Sequence, residues 1–61
     1  MIQAGKAKGK AEDILAIFET RGLAVSAEQR ARILESKDTV ELDRWLRKAV
    51  TAERVAELFS H

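Results

Sequence analysis

The fold is indicated most clearly by residues 42–50, which read Leu42-Asp43-Arg44-Trp45-Leu46-Arg47-Lys48-Ala49-Val50. Apolar side chains recur in this stretch at positions i, i+3, i+4 and i+7, the spacing that places them on one face of an α-helix. The stretch also contains the only Trp of the chain. Because Trp anchors both cores and binding hot spots, Trp45 predicts either the centre of a small bundle or an interface with a second copy.

Two helices are predicted before this stretch. The first is expected over residues 11–20 and ends near Gly22, because glycine readily adopts the left-handed conformation that terminates helices. The second starts after Ser26, which is placed to form a capping box with Gln29, and it runs to about Glu35. We expect its apolar stripe to consist of Ala31, Ile33 and Leu34.

Cap residues predict two further helices. Asp38 repeats the capping pattern with Glu41 and opens the helix that contains the Trp. Thr51 is expected to cap a fourth helix, with Val50 before the cap and Val55 within the helix at the spacing of a hydrophobic staple. The sequence therefore predicts an all-α fold, a small bundle of four short helices.

The chain is short for a self-sufficient core. A domain of 61 residues buries only about 60% of the surface that its unfolded chain exposes, and the absence of Cys rules out a stabilising disulfide. We therefore expect homodimerisation to complete the bundle. The residues expected at this partner interface are large apolar side chains of the helices: Ile14, Phe18, Leu42, Trp45, Leu46, Val55, Leu58 and Phe59. Among them, Phe18, Leu58 and Phe59 are expected to be exposed in a monomer.

Residues 1–10 differ from the rest of the chain in composition and charge. Three Lys residues give this segment a charge of +3, so the remaining residues carry −2 of the net +1. Gly5 and Gly9 each make helix formation less favourable by about 1 kcal/mol relative to Ala. We expect a flexible linker over residues 1–10 and a helical interaction domain over residues 11–61. Alternatively, the first helix extends towards the N-terminus and packs against a second chain. The contact would be an apolar seam of residues spaced alternately three and four positions apart, as in a coiled coil: Ala4, Ala7, Ala11, Ile14 and Phe18.

The titratable side chains of the sequence do not point to an enzyme. The carboxylate pairs Glu12-Asp13 and Glu41 with Asp43 suit the first turns of helices, where the helix dipole favours negative charge. Catalysis would need a pocket that perturbs their pKa values. His61 is the only His, and it has no partner at a metal-ligand spacing. We therefore expect no catalytic residue, no cofactor and no metal.

Nucleic-acid binding is the alternative function. Its contacts would come from the Lys-rich segment and the third helix: Lys6, Lys8, Lys10, Arg44, Arg47 and Lys48. Such cations grip phosphates without sequence preference. However, Asp43, Glu53 and Glu57 are interleaved with the helical cations, a pattern typical of a solvated surface. Nucleic acid is therefore the less favoured partner.

Neither a membrane nor a secretory destination is predicted. No apolar run approaches the roughly 18 residues of a membrane span, and residues 1–10 lack the apolar stretch of a signal peptide. We therefore expect a cytoplasmic protein without a membrane partner.

Four sequence blocks, in order along the chain, resemble a known family. They are Arg21-Gly22-Leu23-Ala24-Val25, Arg30-Ala31-Arg32-Ile33-Leu34, Leu42-Asp43-Arg44-Trp45-Leu46-Arg47-Lys48-Ala49 and Ala56-Glu57-Leu58-Phe59. Together they resemble the small helical domain at the C-terminus of many bacterial proteins, including the Rpn family of transposase-like nucleases with a PD-(D/E)XK core. The resemblance covers about residues 12–59, and the Lys-Gly-Lys-Ala segment before it is similar to the linker of those proteins.

This resemblance implies a non-catalytic role. In those nucleases the catalytic carboxylates and Lys lie in the N-terminal domain, which nothing in this sequence matches, so no catalytic residue carries over. The resemblance implies a detached C-terminal module, such as the product of an internal start codon or a trimmed fragment. We expect such a module to oligomerise, to bind the matching domain of the full-length nuclease and to inhibit it in an antitoxin-like manner.

Overall fold

The computed structural model describes residues 4–59, with side chains from residue 6 onwards. These residues form three α-helices and one 3-10 helix: α1 (Ala4–Thr20), α2 (Ala27–Glu35), α3 (Thr39–Thr51) and the 3-10 helix (Val55–Phe59). They contain no β-strand. The all-α class is confirmed, with a 3-10 helix in the place of the predicted fourth α-helix.

Helix α1 is longer than the sequence predicted. It begins at Ala4, well before Ala11, so residues 4–10 continue the helix of the domain; residues 1–3 lie outside the described residues. On the apolar seam, Ala11, Ile14 and Phe18 are fully buried, and Ala7 packs against the same core. From Ala7 to Phe18, the seam is therefore covered by the rest of its own chain, without a second copy.

Gly22 ends α1 as predicted. Its φ angle is 77°, in the left-handed region. The backbone N–H of Leu23 donates to the carbonyl of Phe18 (2.9 Å), and that of Gly22 donates to the carbonyl of Glu19 (3.0 Å). These two bonds form a Schellman motif. Leu23 then packs against the core, and the chain leads into α2.

Two of the three predicted helix N-caps are formed, at Ser26 and at Asp38. The Ser26 hydroxyl accepts from the Gln29 backbone N–H, and the Gln29 side-chain oxygen accepts from the Ser26 backbone N–H, each at 3.0 Å. The Asp38 carboxylate accepts from two N–H groups in the first turn of α3, at 3.0 and 3.3 Å. The Glu41 carboxylate accepts from the Ser36 hydroxyl (2.9 Å), which links the end of α2 to the start of α3. The N-cap at Asp38 therefore forms without the reciprocal Glu41 bond of the predicted capping box.

The apolar stripe predicted for α2 is wrong in two of its three members. Ile33 is fully buried, whereas Ala31 is exposed and Leu34 is 41% exposed. An α-helix turns by about 100° per residue. With Ile33 directed at the core, Leu34 is rotated about 100° away and Ala31 about 200° away. This nine-residue helix therefore contacts the core along a narrow edge centred on Ile33.

The predicted cap at Thr51 and its hydrophobic staple are also wrong. Helix α3 continues through Thr51, and Ala52 follows as its C-cap. Ala49 and Ala52 are both buried, so the buried face of α3 runs past Thr51 without a break. Val50 is 59% exposed while Val55 is buried, so the two do not form a staple.

The 3-10 helix folds back and completes the core. Val55 and Leu58 are buried, and Phe59 is half-buried against Trp45. The prediction that Phe18, Leu58 and Phe59 stay exposed in a monomer is wrong for the first two, which the chain itself buries. The buried apolar residues are Ala11, Ile14, Phe18, Ile33, Leu42, Trp45, Ala49, Ala52, Val55 and Leu58.

Candidate interaction surface

The residues predicted to form a partner interface come together inside a single chain. Six of the eight are buried: Ile14, Phe18, Leu42, Trp45, Val55 and Leu58. The other two, Leu46 and Phe59, are half-buried. Because most of these side chains cover one another, only Leu46 and Phe59 of this set are accessible to a partner.

Trp45 occupies the core position that was one of its two predicted places. Its ring packs edge-to-face on Phe59, with the centroids 5.2 Å apart and the planes at 82°. The guanidinium carbon of Arg32 lies 4.3 Å from the centroid of the Phe59 ring. An aromatic pair of this kind contributes about 0.5–1.5 kcal/mol beyond the area that it buries. The three side chains thus tie α2, α3 and the 3-10 helix together.

The basic residues of the tail lie on α1 rather than on a loose segment. Lys6 and Lys8 are exposed and line a groove with Leu34 and Lys37. The Lys10 ammonium pairs with the Asp43 carboxylate at 2.6 Å. Lys10 is therefore engaged in a contact between α1 and α3.

The basic residues of α3 lie on a second surface. Arg44 and Lys48 are one turn apart and share a depression with Arg32 of α2 and Glu41. Arg47 is exposed on the same helix. The predicted nucleic-acid contacts are therefore divided between different grooves, and the α3 group includes a carboxylate.

An apolar groove between α1 and α3 is a surface that the sequence analysis missed. We call it the α1–α3 groove; it is lined by Asp13, Ala16, Ile17, Thr20, Arg21, Leu46 and Val50. Val50 is largely exposed, and Ile17 and Leu46 are half-buried against the core. The available sequence signal was the apolar pair Leu46 and Val50, one helical turn apart and beside the buried face of α3.

Charged side chains stand at both ends of the α1 wall of this groove. Asp13 lies four residues before Ile17, in one row along the helix. Arg21 follows the last residue of α1, and its backbone N–H donates to the Ile17 carbonyl (3.0 Å), so Arg21 continues the same row. Both charged residues are exposed. One guanidinium nitrogen of Arg21, Nη1, donates to the carbonyl of Ala49 at 2.6 Å. This bond holds the guanidinium beside the end of α3.

Within residues 6–59, every buried residue is hydrophobic, and no three His, Cys, Asp or Glu side chains group as a metal site would require. His61 lies outside the described residues. No helix in the described part of the chain has both the length and the apolar character needed to cross a bilayer.

Comparisons with protein-family profiles, curated proteins and solved structures found no match for this chain. The resemblance to the C-terminal domain of Rpn-family nucleases therefore stays a prediction. The α1–α3 groove is the candidate functional site on structural grounds.

Proposed function

We propose that this chain is a non-catalytic protein-interaction and oligomerisation module that docks its partners through the α1–α3 groove. The observation that supports this proposal is the exposure of Val50 next to two further apolar side chains, Ile17 and Leu46. Adjacent exposed apolar residues favour a partner, because covering them removes apolar surface from water at about 25 cal/mol per Å².

The proposed partners are a second copy, which gives a homodimer, and a longer nuclease that carries the same helical domain. The resemblance to the Rpn family covers about residues 12–59, a range that contains every residue lining the groove, so a nuclease with this domain would carry an equivalent groove. Binding of the short chain to that domain would inhibit the nuclease in an antitoxin-like manner. The interaction would take place in the cytoplasm.

The self-association part of this proposal is tested by two matched substitutions in α3. Val50→Glu places a charge in the groove, whereas Val40→Glu makes the same change at a residue that is 66% exposed, about 15 Å away along the helix axis. In sedimentation experiments the wild-type chain and Val40→Glu should self-associate, and Val50→Glu should be monomeric. Because neither Val is buried, both variants should keep the far-ultraviolet circular dichroism of the wild type.

The nuclease part is tested through the encoding locus and the longer protein. An in-frame upstream nuclease domain should be found there, and the short chain should bind the longer product and reduce its DNA cleavage. Val50→Glu should abolish both effects, and Val40→Glu should retain them. A short chain that is monomeric and that leaves the nuclease active would contradict the proposed function.

Nucleic-acid binding is the second candidate function, supported by the proximity of Arg32, Arg44 and Lys48. If all three contact phosphates, the logarithm of the binding constant for duplex DNA should fall with the logarithm of the salt concentration, with a slope of about −3. Arg44→Glu should weaken binding in the same fluorescence anisotropy assay. Absence of any complex at low salt would eliminate this candidate.

A further inference from the structure

We propose that a second copy binds the α1–α3 groove by pairing the two α1 helices antiparallel about Ile17, so that Asp13 of each copy contacts Arg21 of the other. This inference rests on the proposed function and specifies the geometry of the homodimer. It follows from how charge and side-chain size are distributed along the groove.

The positions of Asp13 and Arg21 are symmetric about Ile17. Each lies four residues from Ile17 on the same row of the helix, or about 6 Å along its axis. In a two-fold interface, residue i of one copy contacts residue j of the other, and j contacts i. A two-fold axis near Ile17 therefore produces two Asp–Arg pairs at the ends of one apolar contact.

The charges also select between the two directions of pairing. A parallel arrangement would bring Asp13 of one copy beside Asp13 of the other, and Arg21 beside Arg21. Like charges would then repel at both ends. Within one chain the two residues lie eight positions apart, about 12 Å along the axis, so they do not satisfy each other. An antiparallel second copy supplies the opposite charge at both positions.

The Arg21 side chain is already positioned for such a pair. Its Nη1 atom bonds the Ala49 carbonyl, which fixes the guanidinium beside the groove. An arginine has five N–H donors, so others are available to a carboxylate of the second copy. Both Asp13 and Arg21 are exposed, and the contact requires no rearrangement of the core.

The apolar part of the groove suits the close approach of a helix. Ala16 and Thr20 are one turn apart and have small side chains, and the distance between packed helices is set by the side chains at their contact. Leu46 and Val50 of α3 line the groove beside them. In the pair, these two side chains would cover the flank of the second α1 helix, and the exposed part of Val50 would become buried.

Reversing the charge at Asp13 or at Arg21 tests this geometry. Asp13→Arg and Arg21→Asp each create two like-charge contacts in their own homodimer. Each contact should change affinity by roughly three- to fivefold, so each homodimer should be about nine- to twenty-fivefold weaker than the wild type. In an equimolar mixture of the two variants, opposite charges meet at both contacts, so the mixed dimer should recover near wild-type affinity.

The matched control is Glu12→Arg, which makes the same charge change at an exposed neighbouring residue of α1 that does not line this groove. Its dimer affinity should stay within about twofold of the wild type. The double variant Asp13→Arg with Arg21→Asp should dimerise like the wild type, because each pair is reversed as a whole. Sedimentation measures the affinities, and circular dichroism verifies that each variant is folded.

Two results would overturn the pairing: single variants that dimerise as well as Glu12→Arg, or a mixture that associates no better than its components. If Val50→Glu abolishes self-association in the same chain, the groove is still the docking site and only the antiparallel geometry is refuted. If the wild-type chain is monomeric, the pairing is refuted, and groove docking is then decided by the nuclease assay with Val50→Glu.

Discussion

The two glycines Gly9 and Gly22 should respond with opposite sign to the same substitution by Ala. A Cβ atom added at either position meets no atom within 4 Å, so packing contributes little and the backbone decides. Gly22 has a φ of 77°, where a residue with a Cβ is strained by about 1–2 kcal/mol. Gly9 lies inside α1, where Ala is favoured over Gly by about 0.5–1 kcal/mol.

Thermal unfolding followed by circular dichroism measures both effects. A change of 1 kcal/mol shifts the Tm of a domain of this size by roughly 4–8 °C. Gly22→Ala should therefore lower the Tm by about 4–16 °C, and Gly9→Ala should raise it by about 2–8 °C. Gly22→Asn serves as the control and should fall between wild type and Gly22→Ala, because Asn tolerates the left-handed region.

A shift of the Tm in the same direction for both Ala variants would contradict this expectation. Equal shifts would mean that the substitutions act through helix propensity alone and that the left-handed conformation of Gly22 does not limit stability. The comparison should be made at low protein concentration, so that association does not add to the Tm.

Three further substitutions test the core, a cap and a surface ion pair. Trp45→Ala should cost about 3–5 kcal/mol, a large part of the roughly 3–9 kcal/mol expected for a chain of this length; retention of wild-type helicity and melting would contradict the core role of this residue. Ser26→Ala should cost about 1 kcal/mol in urea unfolding by removing a helix cap, and a neutral result would mean that the capping box adds nothing to stability. Asp43→Asn breaks the pair with Lys10, whose side chains are partly exposed, and should cost less than about 1 kcal/mol; a cost that persisted at high salt would argue against an electrostatic origin.

Helix boundaries set by a few adjacent residues were predictable from sequence. The capping box at Ser26, the N-cap at Asp38 and the left-handed stop at Gly22 are all formed. Each depends on hydrogen bonds between residues at most five positions apart, so the local sequence contains all the participants.

Features that depend on distant packing were not predictable. Thr51 has the side chain of an N-cap, yet it stays within α3 because Ala49 and Ala52 are buried on both sides of it. The backbone N–H groups just before the 3-10 helix are instead satisfied by a side chain within that helix. There the Glu57 carboxylate accepts from the backbone N–H groups of Glu53 and Arg54, at 3.1 and 3.2 Å.

The candidate site was missed for a related reason. Amphipathic spacing indicates which residues avoid water, but not whether their own chain or a partner covers them. Phe18 and Leu58 were assigned to a partner and are buried within the chain, whereas Val50 was assigned to a staple inside the chain and is exposed. The 3-10 helix packs on α3 and buries its own Leu58, but it leaves Val50 of α3 uncovered.

In the proposed homodimer, folding and association would depend on different side chains, whereas the sequence left both roles open for Trp45. Trp45 is 8% exposed and holds the 3-10 helix, while Val50 lies at the groove. A dimer is stabilised by mass action, so the urea midpoint of the wild-type chain should rise with protein concentration. Trp45→Phe should lower the midpoint and keep that rise, because the groove is intact. Val50→Glu should remove the rise, and a midpoint that still climbed with concentration in this variant would show that association uses another surface.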